Sequence, residues 1–415
     1  MTRKERIILF LLACLNFTHF LDFMVMIPLN NYLTPYFNIS PRQFSLLVSA
    51  YSISAAASGF ITAFIVDNYD RKKTLLFSYL GFLAGTIACG FASTYTLLLA
   101  ARIAAGVFGG IIGAQVLAII ADTFSYERRG KAMASVSASF AIASILGVPL
   151  SLYLANIFKE DWHVPFLFVG GFGIVLVPLV IRHIPAITGH ICAEARIAPL
   201  ALLSKIIRTP AQVSALFFSC LLMIGHFLII PFITPYLEFN KGYSKNLIPA
   251  IFLVGGIASL ASAILLGRVA DKKGKLPIYS WSVFFSLFMV LLITQMPAMP
   301  FSVVLTIFAA WFVFATGRAL TAQAMISEVV KPEQRGSFMS FNGCVQQIGT
   351  GLASLIAGFV VYDDHRGKIY RYEWLGYLSI VVLTATIILA QMIFRKVDRR
   401  SEPEINELAQ STEAN

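Results

Sequence analysis

Apolar positions in this chain come in long blocks, and polar positions gather between them. Twelve apolar runs start near Ile7, Phe44, Thr74, Leu97, Ala132, Pro165, Ala211, Leu247, Pro277, Phe301, Phe338 and Leu375. Each is about 20 residues, the length needed to cross a hydrocarbon layer of roughly 30 Å as a helix. A membrane strand would instead alternate over about ten residues, so the pattern predicts an all-α membrane protein of twelve transmembrane helices. The opening MTRKERIILFLLACLNF has the basic-then-apolar order of a signal peptide. No small-residue cleavage site follows and the run continues past Met26, which predicts a retained first helix.

Composition agrees: 58% of residues are hydrophobic and 13% charged, with a mean hydropathy of +0.77, against roughly 25% charged in soluble domains. A net charge of +11 would suit nucleic acid, so its distribution decides. If the first helix starts in the cytoplasm, 23 of the 32 Lys and Arg fall on the cytoplasmic face and 7 on the other. Short loops biased in this way set orientation. The basic charge therefore answers to topology and anionic membrane lipid rather than nucleic acid, and both termini are expected in the cytoplasm, at a bacterial inner membrane. The five cysteines show no metal-ligand spacing and read as packing residues. No metal and no cofactor is expected.

The longest connection, about His183 to Thr209, divides the chain. It predicts an N-terminal six-helix bundle (1–183), a cytoplasmic linker (184–209), a C-terminal six-helix bundle (210–395) and a cytoplasmic tail (396–415). The two bundles repeat each other. VDNYDRKK after the second span answers ADKKGK after the eighth, setting Asp67 opposite Asp271. ADTFSYERRGKAM after the fourth answers SEVVKPEQRGSFM after the tenth, setting Asp122 opposite Glu328 and Arg129 opposite Arg335. HFLDFMVMIPLNNYLTPY in the first span has a shorter echo, HFLIIPFITPY, in the seventh, which brings His226 near the place of His19 and Asp22. Parallel six-helix repeats with a site between them are one plan for secondary transporters.

With these motifs the chain resembles the major facilitator superfamily, and is most similar to its twelve-helix drug:proton antiporter and sugar-efflux branch. LLGRVADKKGK fits the family's loop motif at Gly267, Asp271, Lys272, Gly274 and Lys275. The first-half copy keeps Asp67, Arg71 and Lys72 but has Ala63, Asn68 and Asp70 at other motif positions. The resemblance implies that Asp67, Arg71 and Asp122 form a cytoplasmic clasp between the halves, with Asp271, Lys275 and Glu328 as its second copy. The alternative is that these charges only set topology and cap helices. ASILGVPLSLYL resembles the antiporter motif of the fifth helix, with Val148 between Gly147 and Pro149 and with Ser151 and Leu152 in place of glycines.

Three charges interrupt the apolar runs: Asp22, Arg102 and Arg318. A charge near the bilayer centre costs about 2.5 to 3.5 kcal/mol on insertion scales, so it points to a partner or to water. Asp22 and Arg102 lie at similar depth, and the resemblance places the first and fourth helices around one central cavity where the two meet. Such a pair is either a proton switch, since burial raises a carboxyl pKa and arginine lowers it, or a permanent brace. His19 and Thr18 share a face with Asp22, with Met26 a turn beyond, which predicts a polar stripe toward the cavity. His19 and His226 are each a proton relay or a hydrogen-bonded packing residue. Arg102 begins RIAAGVFGGIIGA, whose Gly106, Gly109, Gly110 and Gly113 form a small-residue ridge. Arg318 has Trp311 two turns earlier on its face. Two arginines favour an anionic or carbonyl-bearing substrate, whereas Phe23, Met26 and Trp311 suit lipophilic cations.

No nucleotide loop, metal cluster or catalytic triad is present, so an enzyme is not expected, and a membrane sensor would need a sizeable soluble output domain. The reading is a monomeric, proton-coupled carrier that expels a small organic compound by alternating access. The runner-up is an importer or uniporter of a small metabolite.

Overall fold

The structure is a computed structural model that describes residues 2–65, 69–124, 126–158, 161–188, 204, 206–330, 335–364 and 367–413. It is almost wholly helical. The first half contains α1 (Arg3–Met26), α2 (Asn30–Phe37), α3 (Pro41–Ile65), α4 (Arg71–Gly90), α5 (Tyr95–Thr123), α6 (Tyr126–Ile157) and α7 (His163–His183). The second contains α8 (Pro210–Phe227), α9 (Ile248–Lys273), α10 (Lys275–Thr294), α11 (Phe301–Glu328), α12 (Arg335–Val360) and α13 (Tyr372–Glu413). Among the described residues eleven helices are long and apolar enough to span a membrane, and the apolar stretch Ile145–Ile157 of α6 supplies a twelfth. Phe10 and Met392 are exposed by 67% and 73%. They belong to a surface too apolar for water, so this is a multi-pass membrane protein.

The first helix of each half breaks near its far end, and proline is the cause. α1 stops before Pro28 and resumes as α2, which contains Pro35. α8 ends at Phe227, and the chain continues through a 3-10 turn at Ile230–Phe232 and a π-turn at Tyr236–Asn240, with Pro231 and Pro235 between. A helical Pro231 carbonyl would look to residue 235 for its donor, but proline has no N–H. That carbonyl instead accepts a hydrogen bond from Asn30 Nδ2, 2.9 Å away in the first half. A buried backbone acceptor is thus satisfied across the molecule.

Two seams join the halves, α3 against α12 and α6 against α9. At the end of the bundle remote from the start of α1, here called the top, α3 and α12 approach closely. A Cβ at Gly358 would meet Ser45 at 2.5 Å, and Ser354 Oγ donates to Ser45 O at 3.1 Å. Rings meet there too, Phe23 with Phe227 at 6.0 Å and Phe44 with Phe232 at 6.4 Å between centroids. Asn31 Nδ2 donates to the Glu238 carboxylate, and Asn156 Nδ2 to Asn246 Oδ1 at 3.4 Å. The top is closed. A two-stranded hairpin, β1 (Tyr362–Asp363) with β2 (Ile369–Tyr370), lies beside it. Asn240 ties this hairpin down by bonding both the N–H and the carbonyl of Ile369, at 2.8 and 2.6 Å.

At the opposite end, the base, the loop charges pair within each half. Arg71 Nε donates to Asp122 Oδ2 at 3.0 Å, and Lys275 Nζ donates to Glu328 Oε1. Asp271 is exposed, while Asp67 and the Arg129 side chain lie outside the described residues. Asp70 caps α4: its Oδ1 accepts from Lys72 N at 2.9 Å and from Ile187 N at 3.0 Å. That explains an acid where the family motif has glycine, since carboxylates satisfy the free N–H groups of a helix start. In the second copy Gly274 has φ 89°, the left-handed region that favours glycine.

Candidate functional site

Asp22 and Arg102 meet. Arg102 Nη1 donates to Asp22 Oδ2 at 2.8 Å, and neither side chain has any exposed surface. Both sit inside the first half rather than on a lining between the halves, which corrects the expected cavity position. The Tyr51 ring of α3 lies 4.3 Å below the Arg102 guanidinium, with Phe166 of α7 at 6.0 Å. Thr86 and Cys89 of α4 stand beside the pair. The polar stripe of α1 turns the same way, because its partners are there. Thr18 Oγ1 lies 3.1 Å from Tyr79 Oη, and His19 Nδ1 lies 2.8 Å from Tyr51 Oη. Tyr51 therefore links His19 to Arg102. It is a site residue the sequence reading missed, and its one signal is a lone tyrosine inside an apolar run.

Packing makes this arrangement possible. A Cβ at Gly106 would fall 2.5 Å from Tyr51 O, one at Gly110 2.1 Å from Ala55 O, and one at Gly109 2.8 Å from the His19 ring. Three glycines of α5 thus let α3 and His19 come close. Gly113 has open space around it and is not part of the ridge. On α6, a Cβ at Gly147 would meet Met24 at 2.9 Å and Leu21 at 3.2 Å, so the segment resembling the antiporter motif rests on the turn of α1 that carries Asp22. Ser151 Oγ donates to Val25 O at 3.4 Å.

Hydrogen bonding of the pair is incomplete. Asp22 Oδ1 and the Nε and Nη2 of Arg102 make no close hydrogen bond, and the Thr86 hydroxyl and Cys89 thiol are the polar groups beside them. A brace is strong when every buried polar atom is satisfied, and a partly satisfied network is the one open to rearrangement.

In the second half, Arg318 of α11 sits among α8 and α10. Its Nη1 donates to Ser286 Oγ at 2.8 Å and its Nη2 to His226 Nδ1 at 2.7 Å. Guanidinium has no acceptor, so His226 Nδ1 must accept, and the histidine facing Arg318 is neutral with its proton on Nε2. The Trp311 ring stacks on His226, 5.4 Å between centroids and 27° between planes. Trp311 is buried and its indole N–H has no partner. His226 is half-buried. Of the remaining expected lining residues, Phe23 reaches the seam through Phe227, whereas Met26 is fully buried. Toward the base, Gln346 Nε2 donates to Ser219 Oγ at 3.2 Å and to Gln323 Oε1 at 3.4 Å. These glutamines were also missed, although polar amides inside apolar helices are a readable signal.

Two helical halves closed against each other at one end, with charged side chains in their interiors, define a membrane carrier. The family model described as Major Facilitator Superfamily matches residues 12–322 and 216–413, and the chain belongs to that superfamily. It is therefore a transporter and not an enzyme. It is 25% identical over 371 residues to the uncharacterized MFS-type transporter YceJ of Bacillus subtilis, a match covering 88% of this chain and 92% of that protein. A second Bacillus subtilis relative, the uncharacterized MFS-type transporter YbcL, is 23% identical over 370 residues, with 87% and 89% covered. Among solved structures, a bacterial homolog of the human lysosomal transporter Spinster, inward-facing and occupied, superposes with a TM-score of 0.77 at 15% identity over 95% of this chain and 98% of that one.

Proposed function

We propose that the chain is a proton-coupled carrier that expels a small organic compound, working as a monomer in a bacterial inner membrane with its base facing the cytoplasm. The base holds the positive excess of Lys and Arg, the orientation that short loops favour. Closure at the top then bars access from the side opposite the cytoplasm.

One observation carries the coupling: a carboxylate and a guanidinium, both fully buried, meet through one close contact of 2.8 Å, with Thr86 and Cys89 as their other polar neighbours. When the halves rock, a small change in this contact changes how strongly Asp22 holds a proton, and each pKa unit of difference biases the two states by about 1.4 kcal/mol. Tyr51 and His19, hydrogen-bonded to each other, stand beside the pair as further polar groups. Export is favoured because the antiporter-like segment of α6 seats on the turn carrying Asp22.

The test is proton flux in proteoliposomes across a compound panel, comparing wild type with Asp22→Asn. Asparagine keeps a bond to Arg102 but cannot ionise, so downhill exchange is expected to persist while proton-driven accumulation is lost. Equal proton-driven accumulation in both proteins would leave a brace and a uniporter.

A further inference from the structure

The first half buries an arginine and its counterion, whereas the second buries an arginine without one. Among the described residues no carboxylate pairs with Arg318, whose hydrogen bonds go to two neutral groups, Ser286 Oγ and His226 Nδ1. A full positive charge inside a membrane bundle points to a functional site and to a missing negative partner. The indole N–H of Trp311, buried and unpartnered, is a second free donor, on a ring that stacks on the same histidine.

We propose that this pocket binds the carboxylate of the transported compound, so that the cargo is an organic anion. The inference rests on the transport reading above and names its substrate class. Guanidinium offers a planar fork of donors that matches a carboxylate, and the carboxylate displaces His226 from Nη2. Trp311 supplies a further donor and an aromatic wall for the apolar body of the compound. His226 is half-buried, and the next residue, Phe227, meets Phe23 across the molecule. His226 thus lies on the helix that reaches the contact between the halves. A carboxylate to hold a lipophilic cation is not on offer at Asp22, which is tied to Arg102 with no exposed surface.

The experiment measures thermal stabilisation of the purified full chain by matched trios of compounds, one body bearing a carboxylate, its neutral amide or an amine, with chloride and phosphate as inorganic arms. A carboxylate is expected to stabilise the wild type, with its amide and amine at least tenfold weaker. Arg318→Gln is expected to abolish the effect. Trp311→Phe, which keeps the ring and its packing, is expected to weaken it about tenfold and serves if Arg318→Gln does not fold. Stabilisation by the amine alone, equal stabilisation by chloride or phosphate, no effect of any carboxylate on the wild type, or undiminished binding in the variants would each overturn the inference. Proton-coupled flux of only neutral or cationic compounds would overturn it and leave the transport reading standing. Carboxylate binding lost in Arg318→Gln, with no flux of any compound, would support the pocket and sink that reading.

Discussion

Arg102 and Arg318 both lie on the fourth span of their half, but at different depths, since Arg102 precedes Asp122 by 20 residues and Arg318 precedes Glu328 by 10, and they are treated differently. Each rises from the fourth span of its half toward the first and third: α5 toward α1 and α4, α11 toward α8 and α10. In the first half the facing residue on the first span is an aspartate. In the second it is a neutral histidine. Each half buries a positive charge on its fourth span, at a different depth and with a different compensating group. A coupled carrier needs this kind of division, because a group that exchanges a proton and a group that holds cargo cannot both be satisfied by the same permanent partner.

The sharpest way to break the comparison is to remove each facing residue and measure stability in detergent. Asp22→Ala leaves Arg102 buried without its counterion, the situation that costs about 3 to 5 kcal/mol in proteins. His226→Gln leaves Arg318 no worse in charge and still offers an acceptor, so a loss of about 1 kcal/mol is expected. Comparable losses from the two variants, read from chemical or thermal unfolding, would show that Arg318 has a hidden counterion and that the halves are alike.

Much of this architecture was legible in the residues, and the failures have one physical source. Run lengths specify helices, and equal depth along α1 and α5 was enough to suggest that Asp22 and Arg102 meet. Periodicity says which residues share a face, but not what that face looks at. The stripe of Thr18, His19 and Asp22 was expected to line a cavity, yet it turns inward because Tyr79, Tyr51 and Arg102 are waiting there. Small residues carried the same ambiguity: Gly110 lies against Ala55 O and Gly113 against nothing, though the two look equivalent in sequence. The closure at the top was readable in principle, since Pro235 four residues after Pro231 announces an orphan carbonyl.

That closure provides the next test. Asn30 is buried and holds the Pro231 carbonyl, a bond that exists only while the top is shut. Asn30→Ala leaves this acceptor unsatisfied in the closed state, a penalty of about 1 to 3 kcal/mol for a buried polar group. The state opening at the top is spared that penalty, so its share relative to the closed state is expected to rise at least fivefold, about the factor that 1 kcal/mol produces. Labelling of Ser45→Cys, buried at the same closure, by a membrane-impermeant reagent measures this. An unchanged labelling rate would mean that the aromatic contacts alone hold the top.

The smallest effects belong to the base, where the halves can be compared directly. Arg71 and Asp122 have side chains 7% and 26% exposed, whereas Lys275 and Glu328 are 28% and 29% exposed. A better-covered ion pair is screened less by solvent, and the arginine also presents a fixed fork that lysine lacks. Asp122→Asn is therefore expected to lower unfolding stability by about 1 kcal/mol and Glu328→Gln by only a few tenths, within the range of exposed pairs. The asymmetry has a functional reading, because neither pair spans the halves when the top is closed. If the pairs are parts of a clasp that re-forms across the base, both variants slow transport by similar factors despite their unequal stabilities, since each removes one symmetric copy. Slowing in proportion to lost stability would instead mark them as caps that hold each half together, and the clasp would have to be sought elsewhere.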